Sequence, residues 1–208
     1  MRYLDVVEYR QWGVSGETSD DRVSSASAMI DAFCRRTSLG VTRYVERVRF
    51  ARGSHTVHLS YLPLAVENDG LSPLISVRVR MGRHRRDVVL DPLQAEAASL
   101  FGLSGAWGTI APSTINVGTG DELEFMPHLF GLPYDEVEVT YTAGWNVIPD
   151  AVKAACSQIV RNMVAVPALN VKRTRVASVQ MEYFQDSLLS EEVRLLLRPY
   201  IATRLGRA

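Results

Sequence analysis

Four histidines are the first residues in this chain that could do acid-base or metal chemistry, and only His55 and His58 lie close together. In an extended segment, residues three apart point to opposite faces, so this pair cannot chelate one ion from a single strand. His84 and His128 stand alone and read as loop or surface histidines. Carboxylates cluster at Asp121, Glu122 and Glu124 and again at Asp135, Glu136 and Glu138, a composition that metal-assisted hydrolysis could use. Neither set shares a face with a histidine, and Glu136 and Glu138 alternate with Val137 and Val139 as a solvated strand face does. Gly102-Leu103-Ser104-Gly105 is one position short of a nucleophile elbow, and no apolar strand leads into its serine. Gly118-Thr119-Gly120-Asp121 lacks the lysine and hydroxyl that would hold phosphate and magnesium, so it reads as a turn. Cys34 and Cys156 fit no C-x-x-C spacing and read as small buried thiols of a reducing compartment. These residues predict no enzyme, no cofactor and no metal.

The sharpest electrostatic feature is the run Arg78, Arg80, Arg83, His84, Arg85 and Arg86 around Gly82. It is expected to form the tip of a hairpin that meets phosphate or an acidic protein surface, although no aromatic residue lies nearby for base stacking. With this run counted, the charge of the whole chain is balanced: 23 basic and 23 acidic residues give a formal net charge of zero. A surface that attracts nucleic acid over its whole extent is thereby excluded. The 208 residues are 47% apolar and 22% charged, enough to bury a core without metal or disulfide staples. The N-terminus reaches Asp5 and Glu8 too early for the apolar run of a signal peptide. The uncharged stretch Ala97 to Gly120 is broken by five glycines and a proline, so no membrane span is expected.

The elements that must position these residues follow from spacing. Val23, Ala26, Ile30 and Phe33 form one stripe of a helix from about Asp20 to Arg36, capped by Asp20 or Asp21, with Arg35 and Arg36 in its last turn and Gly40 as its stop. Val6, Val7, Tyr9 and Trp12 before it suggest a short helix or arm. Alternation over Tyr44 to Phe50 and Val57 to Leu62, with a turn at Arg52-Gly53-Ser54, predicts a β-hairpin. A second hairpin is expected from Leu74 through Gly82 to Leu90, then a short helix at 92–103 and an irregular stretch from Gly105 to Gly120. Val137, Val139 and Tyr141 mark another strand, half buried. Pro149 and Asp150 open a helix whose face carries Val152, Cys156, Ile159 and Met163. Val179, Met181 and Tyr183 alternate after it, and an amphipathic stretch from Ser190 to Tyr200 closes the pattern. The first and second helical stripes are expected to face each other.

The segment Val137-Glu138-Val139-Thr140-Tyr141-Thr142-Ala143-Gly144-Trp145, followed by Ile148-Pro149-Asp150 and the apolar helix, resembles the hallmark of tailed-phage head-tail connector (adaptor) proteins. Phe33-Cys34-Arg35-Arg36-Thr37 and Leu195-Leu196-Leu197-Arg198-Pro199-Tyr200 resemble the same family and occur in the right order. The middle, residues 50 to 136, is longer and more β-rich than in compact members. The resemblance implies an α+β subunit: a small helical bundle core, about 17–40 and 149–200, with antiparallel β-hairpins of about 43–142 inserted between the first long helix and the C-terminal helices. It implies a single adaptor domain over 1–208, placed in the virion neck after synthesis in the bacterial cytoplasm. The implied partners are the portal protein, tail or stopper proteins, and copies of the chain itself in a twelve-fold ring, with DNA passing through the channel and no membrane. By position it assigns portal docking to Arg198, Pro199, Tyr200 and Arg204. The alternative reading is a small nucleic-acid-binding or regulatory module that uses Arg78, Arg80, Arg83, Arg85 and Arg86.

Overall fold

Helix α1 spans Asp20–Cys34 in the computed structural model, which describes residues 2–51, 53–66, 72–81, 107–118, 120–127, 134–165, 173–176, 179–182 and 188–203. Ser19, in extended backbone, is its N-cap, so Asp20 and Asp21 occupy the first turn, where carboxylates suit the positive end of the helix. The C-terminus comes earlier than the sequence suggests. Arg35 takes a left-handed φ of 56°, and the N–H groups of Arg35 and Arg36 turn back to the carbonyls of Ala32 and Asp31. The two arginines expected in the last turn thus lie beyond it, and Arg36 turns inward to donate from Nε to the Tyr200 carbonyl at 2.9 Å.

The helical unit comprises Met1–Leu39 and Val147–Ile201. Helix α2 (Asp150–Ala165) buries Val152, Ala155, Cys156, Ser157, Ile159 and Val160, and α1 meets it with Val23, Ala26, Ser27, Ile30 and Cys34. The Ser27 hydroxyl and the Cys156 thiol approach to 3.9 Å across this contact. Phe33 and Met163, expected in the facing stripes, are only half-buried. An antiparallel pair, here β8 (Arg173–Val176) and β9 (Val179–Glu182), follows, and Tyr183 lies outside the described residues. Helix α3 (Glu191–Leu197) is capped by Ser190, whose Oγ accepts from the Val193 N–H, and it buries Val193 and Leu197 against the unit's own core. A 3-10 turn, Arg198–Tyr200, continues it.

The N-terminal residues add polar anchors to this unit. The short helix or arm suggested there is a 3-10 turn (Val6–Glu8) with Val6 and Val7 exposed, whereas Tyr3, Leu4, Tyr9 and Val14 are buried. The Tyr3 hydroxyl donates to Asp31 and accepts from the Leu39 N–H at 2.8 Å. Lys153 Nζ meets Glu8 Oε1 at 2.5 Å and holds the Glu8 carboxyl below its ordinary range.

The second unit is made mainly of Gly40–Asn146. Its larger sheet is antiparallel, in the order β1 (Thr42–Arg49), β7 (Tyr134–Ala143), β3 (Leu74–Met81), β4 (Trp107–Ile110). The smaller sheet runs β2 (Thr56–His58), β6 (Glu122–Glu124), β5 (Asn116–Val117). The hairpin expected over 43–66 does not form, because β1 and β2 belong to different sheets. The eight-residue ladder from Thr42↔Ala143 to Arg49↔Glu136 gives β1 a longer partner than the three-residue β2 can be. Strand β3 likewise has both edges occupied over Val77–Arg80, by β7 and β4. Its expected tip and return arm, and the helix expected at 92–103, lie outside the described residues.

The inner faces of the two sheets form one core. Val77, Val79, Val137, Val139, Tyr141 and Tyr44 come from the larger sheet, and Val57, Leu59, Ile115, Leu123 and Phe125 from the smaller sheet and its flanks. Phe50 meets Phe125 edge-on at 5.2 Å and Tyr44 stacks on Tyr61 at 4.0 Å. Alternation also brings Glu46 to this face, where it accepts from the Ser60 N–H at 3.1 Å and burial pushes its carboxyl above the ordinary range. The fold is α+β: among the described residues, the three α-helices and a small two-stranded sheet belong to one unit, and the two larger antiparallel sheets to the other.

Candidate interaction surfaces

Three places carry the residues singled out by the sequence: the outer face of the larger sheet, the junction after β7, and the C-terminal turn. In β1, β7 and β3 the residues between the core positions point outward, which aligns them in cross-strand rows. One row is Arg47, Glu138, Arg78 and Thr109; the next is Arg49, Glu136, Arg80 and Trp107. Glu138 sits between two guanidiniums, 2.7 Å from Arg47 and 3.4 Å from Arg78. The Arg47 hydrogen bond is the main reason its carboxyl stays below the usual range. Arg80 reaches Glu136 at 2.8 Å and Asp135 at 3.6 Å.

Trp107 draws these rows together. The guanidinium carbons of Arg47, Arg78 and Arg80 lie 5.3, 5.6 and 5.6 Å from its ring centroid, within cation-π range. Three like charges around one ring repel, and Glu136 and Glu138 between them offset that repulsion. Arg78 and Arg80 are therefore mid-strand residues with acidic partners, where a protruding basic tip was expected. Arg83, Arg85 and Arg86 lie outside the described residues. Sequence reasoning overlooked Arg43, Arg47, Arg49 and Trp107. The alternation of the first three with Tyr44 and Val48 was the available signal, but the strand that pairs with them is about ninety residues away.

At the junction, Gly144 has a φ of 133° and its N–H donates to the Pro63 carbonyl at 2.9 Å. A side chain there would run into the Gly40 backbone, so glycine is required for both φ and space. Trp145 forms a parallel bridge with Gly40. Val152 and Lys153 donate their N–H groups to the Pro149 carbonyl, which opens α2 as the proline and Asp150 predicted.

In the helical unit, an open cleft of about 590 Å³ is lined by Phe33, Glu191, Arg194, Leu195, Arg198 and Ile201. Arg198 and Pro199 belong to the 3-10 turn, as does Tyr200, whose carbonyl is tied to Arg36. Arg204 lies outside the described residues. Phe33 lines this cleft, which accounts for its partial exposure. Leu195, also on the rim, is 61% exposed.

The residues tested for chemistry are dispersed. His58 Nδ1 lies 3.3 Å from Asp121 beside the smaller sheet, and the His55 carbonyl accepts from the Phe125 N–H. Both cysteines are buried, and burial pushes each thiol up to about 11, so neither is an activated nucleophile at neutral pH. Among the described residues, no group of three His, Cys, Asp or Glu side chains is placed to hold a metal, and no helix is long and apolar enough to cross a membrane. Compared with protein-family models and with curated proteins, the chain matches none.

Proposed function

We propose that this chain is the adaptor subunit of a tailed-phage head-tail connector, a ring-forming structural protein of the virion neck that acts by association and catalyses no reaction. The observation that carries the reading is the junction after β7. The segment Tyr141 to Pro149, whose wording resembles the adaptor hallmark, acts as one device: a central strand, a glycine at φ 133° packed on the Gly40 backbone, an aromatic bridge and a proline that starts a helix. In this reading α1, α2 and α3 are the small bundle of the family and the two sheets are an enlarged insertion between α1 and α2. The cleft beside Arg198 and Pro199 is then the portal-facing surface, rimmed by an exposed leucine and two arginines. The alternative, a nucleic-acid module built on the basic run, has less support because Arg78 and Arg80 are engaged by Glu138, Glu136 and Asp135.

The test mixes the purified chain with portal-bearing, tailless heads and separates bound from free by sedimentation. Attachment at a fixed number of copies per head is expected, with Arg198→Glu weakening it by about tenfold, given the cost of reversing a charge at an interface. The variant's melting temperature should match the wild type. A wild-type chain that ignores such heads, or binds free duplex with a steep salt dependence, overturns the reading.

A further inference from the structure

Because the inner faces of the two sheets share one core, their outer faces look in opposite directions, and their charges are opposite. The outer face of the larger sheet carries Arg43, Arg47, Arg49, Arg78 and Arg80 against Glu136, Glu138 and Asp135. Its acids are mostly covered: the Glu136 and Glu138 side chains are 15% and 17% exposed, whereas Arg47 and Arg78 are 61% and 49% exposed. Arg43 and Arg49 are exposed and have no ion pair among the described residues. The charge presented to solvent is therefore positive.

The outer face of the smaller sheet is its complement. Glu122 and Glu124 are the outward residues of β6, on either side of the buried Leu123, and Asp121 precedes them. The only basic side chain beside them among the described residues is His58, paired with Asp121. Exposed apolar residues accompany both charged faces: Val45 at 63% on the arginine face and Met126 at 70% two residues beyond Glu124.

From this polarity we infer that the arginine face of one copy docks on the acidic face of the next, a head-to-tail contact between identical chains. Such a contact uses two different patches, so each copy keeps one free face for another neighbour, and the arrangement closes into a ring or extends as a filament. A symmetric two-fold dimer would instead bring like charges together. The exposed arginines steer the encounter, and Val45 and Met126 supply apolar area once the faces meet. The inference deepens the adaptor reading by naming the ring contact, and it rests on that reading only for ring closure.

The test is a charge swap read by sedimentation velocity at low and high salt. The wild type should associate in a concentration-dependent way that weakens with salt. Arg43→Glu with Arg49→Glu makes both faces acidic; Glu122→Arg with Glu124→Arg makes both basic. Each double variant should lose self-association by about tenfold or more while melting as the wild type does. Mixed in equal amounts, the two should associate again, because every contact in an alternating assembly is then complementary. Assembly of either variant alone at the wild-type level, a mixture that stays monomeric, or a wild type that is monomeric at every salt concentration overturns the inference. Attachment of charge-reversed but still fully assembled chains to portal-bearing heads defeats this inference and leaves the adaptor reading standing. Charge-dependent assembly without attachment to heads does the reverse.

Discussion

The helical unit and the β unit bury similar kinds of side chain by different routes. In the helical unit each face follows from spacing along its own helix, as Val23, Ala26 and Ile30 on α1 or Val152, Cys156 and Ile159 on α2. In the β unit the faces follow from alternation, but the partners come from far along the chain, as Thr42↔Ala143 does. The difference teaches that a period of 3.6 residues gives the buried face of a helix, whereas a period of 2 gives only the face of a strand and leaves its neighbours open. The units also differ in how they hold an acid. The helical unit secures Asp31 with Tyr3, a contact between the N-terminal arm and α1; the β unit secures Glu46 with the Ser60 N–H.

The largest expected effect is on the β unit at its tightest point. Gly144→Ala places a Cβ against the Gly40 backbone at a φ that side chains rarely adopt, and it should destabilise the protein by about 2–4 kcal/mol. Denaturant unfolding monitored by intrinsic tryptophan fluorescence checks this, and a loss below about 1 kcal/mol would show that the β1–β7 corner relaxes easily.

In the helical unit the contrast lies between two positions that sequence spacing treats alike. Ile159→Ala, at a fully buried site, should cost about 2–5 kcal/mol. Phe33→Ala, at a half-buried site on the cleft, should cost less than Ile159→Ala. Equal losses in urea titrations would mean that the cleft is packed in solution and that the partition between core and cleft drawn here is wrong.

The smallest effects are in pH dependence, where the two units should behave alike. Burial is the leading cause of the raised carboxyl pKa of both Asp31 and Glu46. A carboxyl whose folded pKa lies above its unfolded value favours the folded state below the unfolded value, and that contribution is lost as pH rises through the folded one. Asp31→Asn and Glu46→Gln should therefore each flatten a fall in stability that begins at the ordinary carboxylate range and runs upward. Glu8 and Glu138, held low by Lys153 and Arg47, contribute in the opposite sense. Chemical denaturation across a pH series resolves the signs. A wild-type stability that rises through this range, with the slope unchanged in both variants, would contradict the assignment of burial as the cause.

How much was legible can be judged residue by residue. Val137, Val139 and Tyr141 were readable as a buried face, and Gly144 and Pro149 as the end of a strand and the start of a helix. The pairing of Arg78 with Glu138 was not readable, since the two residues belong to segments sixty residues apart with no shared local pattern. The same holds for Arg47 and Trp107, which are near Arg78 only because β1 and β4 lie in the same sheet. Arg36 was legible as a basic residue near a helix end, but its turn inward to Tyr200 depends on a left-handed Arg35 that spacing does not reveal.

The sequence by itself determined the helices that begin at Asp20, Asp150 and Glu191, most of the first two buried stripes, the strand faces, the α+β composition and the glycine-proline punctuation around Trp145. These depend on backbone sterics and on burial within a few residues, so local order suffices. Tertiary structure alone decided which strands pair and that Arg78 and Arg80, read as part of a basic tip, stand in ion-paired rows. It also decided that the exposed charges of the β unit separate onto opposite faces. Strand pairing satisfies backbone hydrogen bonds between distant segments, and its choice depends on the total apolar area that the assembled sheets can cover, a quantity no single segment contains.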